Sequence, residues 1–410
     1  MRNLVGLIVF VGFLVAVVFL NLGVALFIYA LLIVIMVHES GHFLVAKLFG
    51  FKATKFFLGF GPTLWSTQRG ETEYGVKALP LGGFVKIIGM SPYEEIEPQD
   101  ESRSYPNKPR WQRALLLVAG SATHWVVAFI LLLVVAIGLG IPKVTTEVAR
   151  IVDETADGTV TAASLSDLET GDVIVAVGGR EVSEWGEVVG YIEARGNEVG
   201  SFTIARDGAR MDLEILIGQA IQKDNEIVAA APPGDAIRAP GPGETVGGFL
   251  GVSPEGKVER VGPIEGIKFS GSTIATFTAR SITSLDDVFA PVFNGELWRS
   301  LGESGERGTE GAVGIVGAGR VAGAAVQAGM YAELLSFIAG LTIFIGLINL
   351  LPLPPLDGGH LAVLAVEKIT GKPVDVRKLI PITAVVIAFF LALFVAVLYL
   401  DLARPIKIPF

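Results

Sequence analysis

The sequence predicts a polytopic α-helical membrane protein. Its expected plan is four core transmembrane helices with a candidate extra one at the N-terminus, a membrane-associated β-hairpin region, and one inserted extracytoplasmic α+β domain. Three observations lead there. A mean hydropathy of +0.59 and a 51% hydrophobic composition exceed what an ordinary soluble domain carries. Apolar runs within 24–48, 113–140, 336–360 and 380–402 are long enough to cross a bilayer, which takes about 20 residues of helix. Two other stretches, 55–90 and 145–218, show β-branched runs punctuated by Gly and Pro, the pattern of strands and turns.

Residues 1–23 contain a further apolar run at 4–20, separated from the next only by Asn21, Leu22 and Gly23. As one helix, 4–47 would be about twice as long as a hydrocarbon core requires. The chain therefore turns back near Asn21–Gly23, or 4–20 lies outside the membrane. No small-residue cleavage site follows the run, which favours an uncleaved extra transmembrane segment over a signal peptide.

After the first core span, 49–112 carries a dense basic set that includes Lys52, Lys55, Arg69, Lys108 and Arg110. The short loop before 380 carries Lys368, Lys372, Arg377 and Lys378. Positive charge marks the cytoplasmic side, so both segments are expected inside. The segment after the span 113–140 is then extracytoplasmic. Within it, 143–220 reads as a small domain of strands with one short helix at "SEWGEVVGYIEA", where apolar residues recur at helical spacing. Residues 221–335 read as a linker, Pro/Gly-rich at 231–246, followed by an amphipathic membrane-surface region at 258–290. The Gly-rich 311–325 lacks the dinucleotide fingerprint and reads as a close-packing segment. The span 336–360 ends in the L-D-G element at 356–358, and 380–402 closes the set.

Composition also excludes. The chain has no cysteine, so disulfides and thiolate metal sites are ruled out, and a transition metal must be held by His, Asp or Glu. A net charge of −9 and the lack of a basic, aromatic-interleaved patch argue against a nucleic-acid partner.

Polar chemistry nonetheless enters the apolar span 24–48, as "MVHESGHFL" at 36–44. His38 and His42 are four apart, so on a helix they share one face. That is two-ligand spacing for zinc, with Glu39 beside them as general base on a water activated by the metal. Only four histidines occur in the chain, and ionisable groups within a span default to a functional reading. A catalytic zinc takes three protein ligands and keeps one open position. The span 113–140 offers only His124, and 380–400 offers none. At the end of 336–360, "NLLPLPPLDGGH" offers Asp357 and His360. Pro352, Pro354 and Pro355 cannot continue a helix, and non-helical backbone at membrane depth belongs in a cavity wall. Asp357 is the leading third ligand, with His360 as substitute.

With these residues in place, the chain resembles the site-2 proteases, intramembrane zinc metalloproteases. The resemblance rests on "HESGH" at 38–42, "GFGPTLWSTQRGETEYGVKALPLGGFVKIIGM" at 59–90 and "NLLPLPPLDGGH" at 349–360. The middle stretch is similar to the bacterial branch that cuts anti-sigma factors. The resemblance implies zinc held by His38, His42 and Asp357, Glu39 as general base, and Asn349 in substrate handling. It further implies that 143–220 is a PDZ-like domain that screens substrates already trimmed outside. The expected substrate is a single-pass transmembrane protein such as an anti-sigma factor. The setting would be a bacterial cell membrane, with the active site toward the cytoplasm and the PDZ-like domain outside. The 55–90 hairpins would present substrate as an extended strand by edge pairing.

One position departs from the family pattern. Where G-x-x-x-N is common in the second core span, this chain reads "GSATH", placing His124 at the Asn. A histidine there could stabilise an oxyanion, bind metal or pack, and we assign it a supporting role. Two rivals have different chemistry. A proteolytically inactive scaffold or receptor using the PDZ-like domain would have a structural zinc, but such sites are closed by four ligands. A metal transporter would be expected to show paired repeats, and the sequence has none.

Overall fold

In the computed structural model, Asn21 ends one helix and starts the next. Its side-chain oxygen accepts the Val24 N–H at 3.0 Å, an N-cap that opens α2 (Leu22–Leu48) directly after α1 (Arg2–Leu20). The Tyr29 hydroxyl donates to the Leu14 carbonyl across the turn, so the two helices fold back on each other. One helix of double length is thereby avoided. Residues 2–91, 94–155, 158–223, 226–303 and 313–406 are described. They form two units, one of Met1–Leu139 with Val261–Phe410 and one of Gly140–Arg260.

Among the described residues of the first unit, four helices are long and apolar enough to cross a membrane: Leu22–Leu48, Arg110–Leu139, Tyr331–Asn349 and Arg377–Ala403. The apolar stretch of α1, Val5–Phe19, is shorter than these. Between the first two spans lie β1 (Ala53–Arg69) and β2 (Thr72–Ile87). Each strand bends, and the first half of β1 pairs on both its edges, Phe56 facing Val85 on one side and Tyr74 on the other. Gly59 at φ +88° and Gly61 at φ +83° make the corner, a conformation that excludes most side chains. The lateral order is therefore 63–69, 72–77, 53–58, 83–87, with 83–87 outermost. On the opposite side α1 meets the sheet at Gly6, where a Cβ would lie 2.3 Å from the Leu64 oxygen.

The turn of this hairpin is tied to the end of α2. Glu71 accepts from Lys47 Nζ at 2.6 Å and from Arg103 Nη1 at 2.7 Å and Nη2 at 2.9 Å. These hydrogen bonds, Arg103's first, hold the Glu71 carboxyl down at about 2.

The second span, α3 (Arg110–Val134), continues through a π-helical turn to Leu139. In the second unit, β3 (Ile141–Ile151), β4 (Val173–Val177), β5 (Arg180–Glu181), α4 (Trp185–Glu193), β6 (Val199–Arg206), β7 (Ala209–Leu216), β8 (Gly218–Lys223), β9 (Glu226–Ala231), β10 (Thr245–Phe249) and β11 (Val252–Glu259) follow in order. One sheet runs β11-β3-β4-β6-β7, with β5 on β4, and a second runs β10-β8-β9. Its core includes Val148, Ile174, Val188, Phe202, Ile204 and Leu250. A capping box of Glu184 and Glu187 starts α4. The 221–260 part of the expected linker differs: β9, β10 and β11 find ladder partners in β8 and β3. Among the described residues there, the Pro/Gly-rich 232–244 between β9 and β10 is the longest stretch outside the strands.

Returning to the first unit, α5 (Pro263–Thr283) packs on α3, with Trp125 Nε1 donating to Thr278 Oγ1 at 3.0 Å. After α6 (Leu285–Phe293) and α7 (Glu296–Ser300), the Gly-rich stretch becomes α8 (Ile315–Gln327), with 311–312 outside the described residues. The buried Asp401 carboxylate receives the Gly314 and Gly317 N–H groups at 3.3 and 2.8 Å. Close packing is literal here: a Cβ on Gly23 would lie 2.1 Å from the Gly323 Cα. The third span, α9 (Tyr331–Asn349), packs on α3 through Ala128, Leu132, Ala339 and Ile343. It stops eleven residues short of the expected 360, because the prolines interrupt it, and α10 (Asp357–Thr370) then precedes α11 (Ile380–Ala403).

Two outcomes follow from this packing. Gly23→Leu should lower stability by about 2 kcal/mol or more, read as a lower melting temperature of the detergent-solubilised protein. Glu71's folded value lies below its ordinary 4.5, so its stabilisation is complete above that value and is lost as pH falls through about 2. Glu71→Gln should therefore cost about 1 kcal/mol at neutral pH and reduce the acid sensitivity of the melting temperature.

Candidate metal centre

The site begins with helix geometry. On α2, His38 and His42 stand one turn apart with ring centroids at 4.8 Å. Reaching them requires α2 and α3 to touch at backbone level. A Cβ on Gly41 would lie 2.5 Å from the Ala119 oxygen, and one on Gly120 would lie 2.2 Å from His42 Nε2. The same Cβ would lie 2.8 Å from His38 Cε1, so Gly120 is a floor under both rings.

Asp357 arrives from the other side. Beyond Asn349 the chain makes tight turns, with Leu353 N–H donating to Leu351 at 2.7 Å and Leu356 N–H to Leu353 at 2.9 Å. Asp357 is then the first residue of α10. The two glycines after it are required by packing: a Cβ on Gly358 would lie 2.1 Å from the Leu350 oxygen, and one on Gly359 would lie 2.5 Å from Pro354 N.

Three atoms converge as a result. His38 Nε2 and His42 Nε2 are 3.1 Å apart, and Asp357 Oδ2 is 3.3 Å from each. A tetrahedral zinc with bonds of about 2.0–2.1 Å sets its ligand atoms about 3.3–3.4 Å apart, so the triangle matches three corners of that tetrahedron. The donor chemistry agrees. His42 Nδ1 donates to the Leu116 carbonyl at 2.8 Å, which leaves Nε2 a bare lone pair. Asp357 Oδ2 is buried and has no hydrogen-bond partner. Electron-rich atoms this close in a low-dielectric setting repel one another unless a cation lies among them. Among the described residues this is the cluster of His, Asp and Glu that could hold a metal ion.

Glu39 sits next to the triad on α2 and faces the outermost strand of the β1–β2 sheet. A Cβ on Gly83 would lie 2.9 Å from Glu39 Cγ, and the carboxylate meets the backbone of Val85. General base candidate and sheet edge are therefore neighbours.

The sequence profile described as "Peptidase family M50" matches residues 26–393. The chain belongs to peptidase family M50. Zinc metalloprotease Rip1 of Mycobacterium tuberculosis (strain H37Rv) is 33% identical, with 94% of this chain and 98% of Rip1 aligned. Metalloprotease MmpA of Caulobacter vibrioides is 28% identical over 84% of this chain and 86% of its own. Membrane metalloprotease ARASP, chloroplastic, of Arabidopsis thaliana is 30% identical over 89% and 75% respectively. This M50 chain is a multi-pass membrane zinc metalloprotease of the site-2 protease family.

The other residues singled out in the M50 sequence are placed as follows. His124 is buried on α3, with Nε2 3.1 Å from His38 Nδ1. It backs a triad member and lies outside the triad itself. Asn349 is the last residue of α9, at the start of the turns that lead to Asp357. His360 lines a cavity of about 570 Å³ with Arg110, Arg113 and Glu367, and it is not part of the metal cluster. Nothing in the sequence sets Gly41 or Gly120 apart from other glycines, whereas Gly358 and Gly359, directly after Asp357, permit close backbone approach. Thr342 carried no signal at all.

Gly120→Ala gives a direct check. Its methyl would occupy the space of the His42 ring, so the purified variant should retain its helices yet bind much less than one zinc per chain. Metal analysis beside circular dichroism reads both.

Proposed function

We propose that this chain is an intramembrane zinc metalloendopeptidase that cuts single-span membrane proteins, pre-trimmed anti-sigma factors among them. His38, His42 and Asp357 hold the zinc and Glu39 is the general base. The observation that carries this is the triangle of His38 Nε2, His42 Nε2 and Asp357 Oδ2, with edges of 3.1–3.3 Å, between two apolar spans. Three protein ligands leave the fourth position open, as hydrolysis requires and as a structural zinc does not. The relatives' names, zinc metalloprotease and membrane metalloprotease, support the same chemistry.

Bound zinc supplies Lewis acidity that polarises the scissile carbonyl and acidifies a water. The chain's own residues do the rest. Glu39 accepts the water's proton and returns it to the leaving amine. A transmembrane helix hides its amides in internal hydrogen bonds, so substrate must be unwound before it can be cut. The outermost strand, 83–87, lies beside Glu39 and can hold the unwound segment by edge pairing. Asn349, at the end of α9, is assigned to substrate handling. The basic residues of 49–112 support a cytoplasmic position for this face. The Gly140–Arg260 unit is then extracytoplasmic, and we read it as a PDZ-like domain that screens substrates by size. The membrane is that of a bacterial cell.

The test uses purified protein in detergent and a single-span substrate lacking its outer domain. Glu39→Gln should lower the cleavage rate by at least about 100-fold while bound zinc stays at the wild-type level. Wild-type cleavage by that variant would remove Glu39 from the mechanism. Metal retained by the wild type without any cleavage across several single-span substrates would favour the scaffold.

A further inference from the structure

Of the two zinc-ligand histidines, only His42 is backed by a backbone carbonyl, that of Leu116. A main-chain oxygen inside a helix cannot turn away. His38 is backed instead by a side chain, His124, across 3.1 Å. A side chain can hold another in place only if it is itself held. His124 Nδ1 is 2.7 Å from the Thr342 hydroxyl on α9. Both residues are almost fully buried, His124 at 2% and Thr342 at 1% exposure. The α9 backbone closes on the imidazole at Gly346, where a Cβ would lie 2.9 Å from His124 Cβ.

We propose that His124, anchored by Thr342, is a positioning residue: it sets the tautomer and the ring plane that His38 presents to zinc. The proposal rests on the ligand reading above and deepens it. The direction of the chain follows from hydrogen-bond roles. With Nε2 of His38 turned to the metal as a lone pair, its Nδ1 carries the proton and donates to His124 Nε2. His124 then accepts at Nε2, so its own proton is on Nδ1 and is donated to Thr342 Oγ1. One relay thus joins α2, α3 and α9 at the metal. It also separates the three roles open to a histidine at this position. Its Nε2 is occupied by His38, so it neither ligates the metal nor faces a developing oxyanion.

Outer partners of this kind orient ligand histidines, and their loss weakens metal binding by about 10–100-fold. The experiment measures zinc dissociation constants for the full-length chain in detergent, by competition with a chromophoric chelator, together with the visible spectrum of the cobalt(II) form. His124→Leu should weaken zinc by about 10–100-fold at unchanged one-to-one stoichiometry and shift the cobalt bands. Thr342→Val, equal in size and lacking the acceptor, should weaken it by a smaller factor and decides the matter if His124→Leu does not fold. His124→Gln, whose amide oxygen can accept from His38 Nδ1, should recover part of the affinity. The double variant His124→Leu/Thr342→Val should bind no more weakly than His124→Leu, since both remove one coupled unit.

Wild-type affinity and cobalt spectra in both His124→Leu and Thr342→Val would overturn the relay. So would the loss of one nitrogen from the metal's shell in His124→Gln by X-ray absorption, which would make His124 a ligand. His38→Ala is the separate control: zinc bound with wild-type affinity there would overturn the ligand reading itself, and the relay with it.

Discussion

Everything around the metal centre answers one constraint: three electron-rich atoms are held about 3 Å apart where water is scarce. A carboxylate and two imidazoles in that arrangement are unstable as neighbours until a cation joins them. The fold does not relieve this by spreading them out. It enforces it, with His42 pinned to the Leu116 carbonyl and Asp357 fixed at the first turn of α10. A site preorganised in this way matches the ligand spacing of zinc and offers three of its four corners.

Holding the triangle requires backbones at van der Waals contact, and glycine is the residue that permits it. Gly41 and Gly120 bring α2 onto α3, Gly346 brings α9 onto His124, and Gly358 and Gly359 seat α10 on the turns after α9. The same device recurs away from the chemistry, where Gly23 and Gly323 join α2 to α8. Within a membrane, helices gain little from excluding water, so close packing of small residues has to hold them together. Polar clasps supplement it. Asp401 receives the first N–H groups of α8, and Glu71 ties the hairpin turn to the end of α2. That last tie keeps the sheet, with its outer strand 83–87, over the helix that carries Glu39.

Much of the candidate site was legible in the chain because its spacing is local. His38 and His42 are four residues apart on one helix, so spacing alone puts them on one face. Asp357 stood out because few other ionisable groups reach the spans and because prolines announce unwound backbone before it. The break at Asn21 was legible for a related reason: no single helix of that length suits a bilayer. Less legible was the second unit beyond residue 220. Strand β10 is short, β11 pairs with the distant β3, and a Pro/Gly-rich stretch between β9 and β10 masks the pattern.

The sequence by itself determined the spans, the H-E-x-x-H face and the absence of thiolate chemistry, since each depends on composition or on residues within a turn or two. Tertiary structure alone decided how the backbones close on Gly41 and Gly120, which strand of the sheet lies beside Glu39, and which side chains His124 meets. His124 and Thr342 are 218 residues apart and meet His38 only where three helices cross. Hydrogen-bond partners chosen by helix packing leave no period or motif along a chain, because the contact belongs to the packing and not to any one segment.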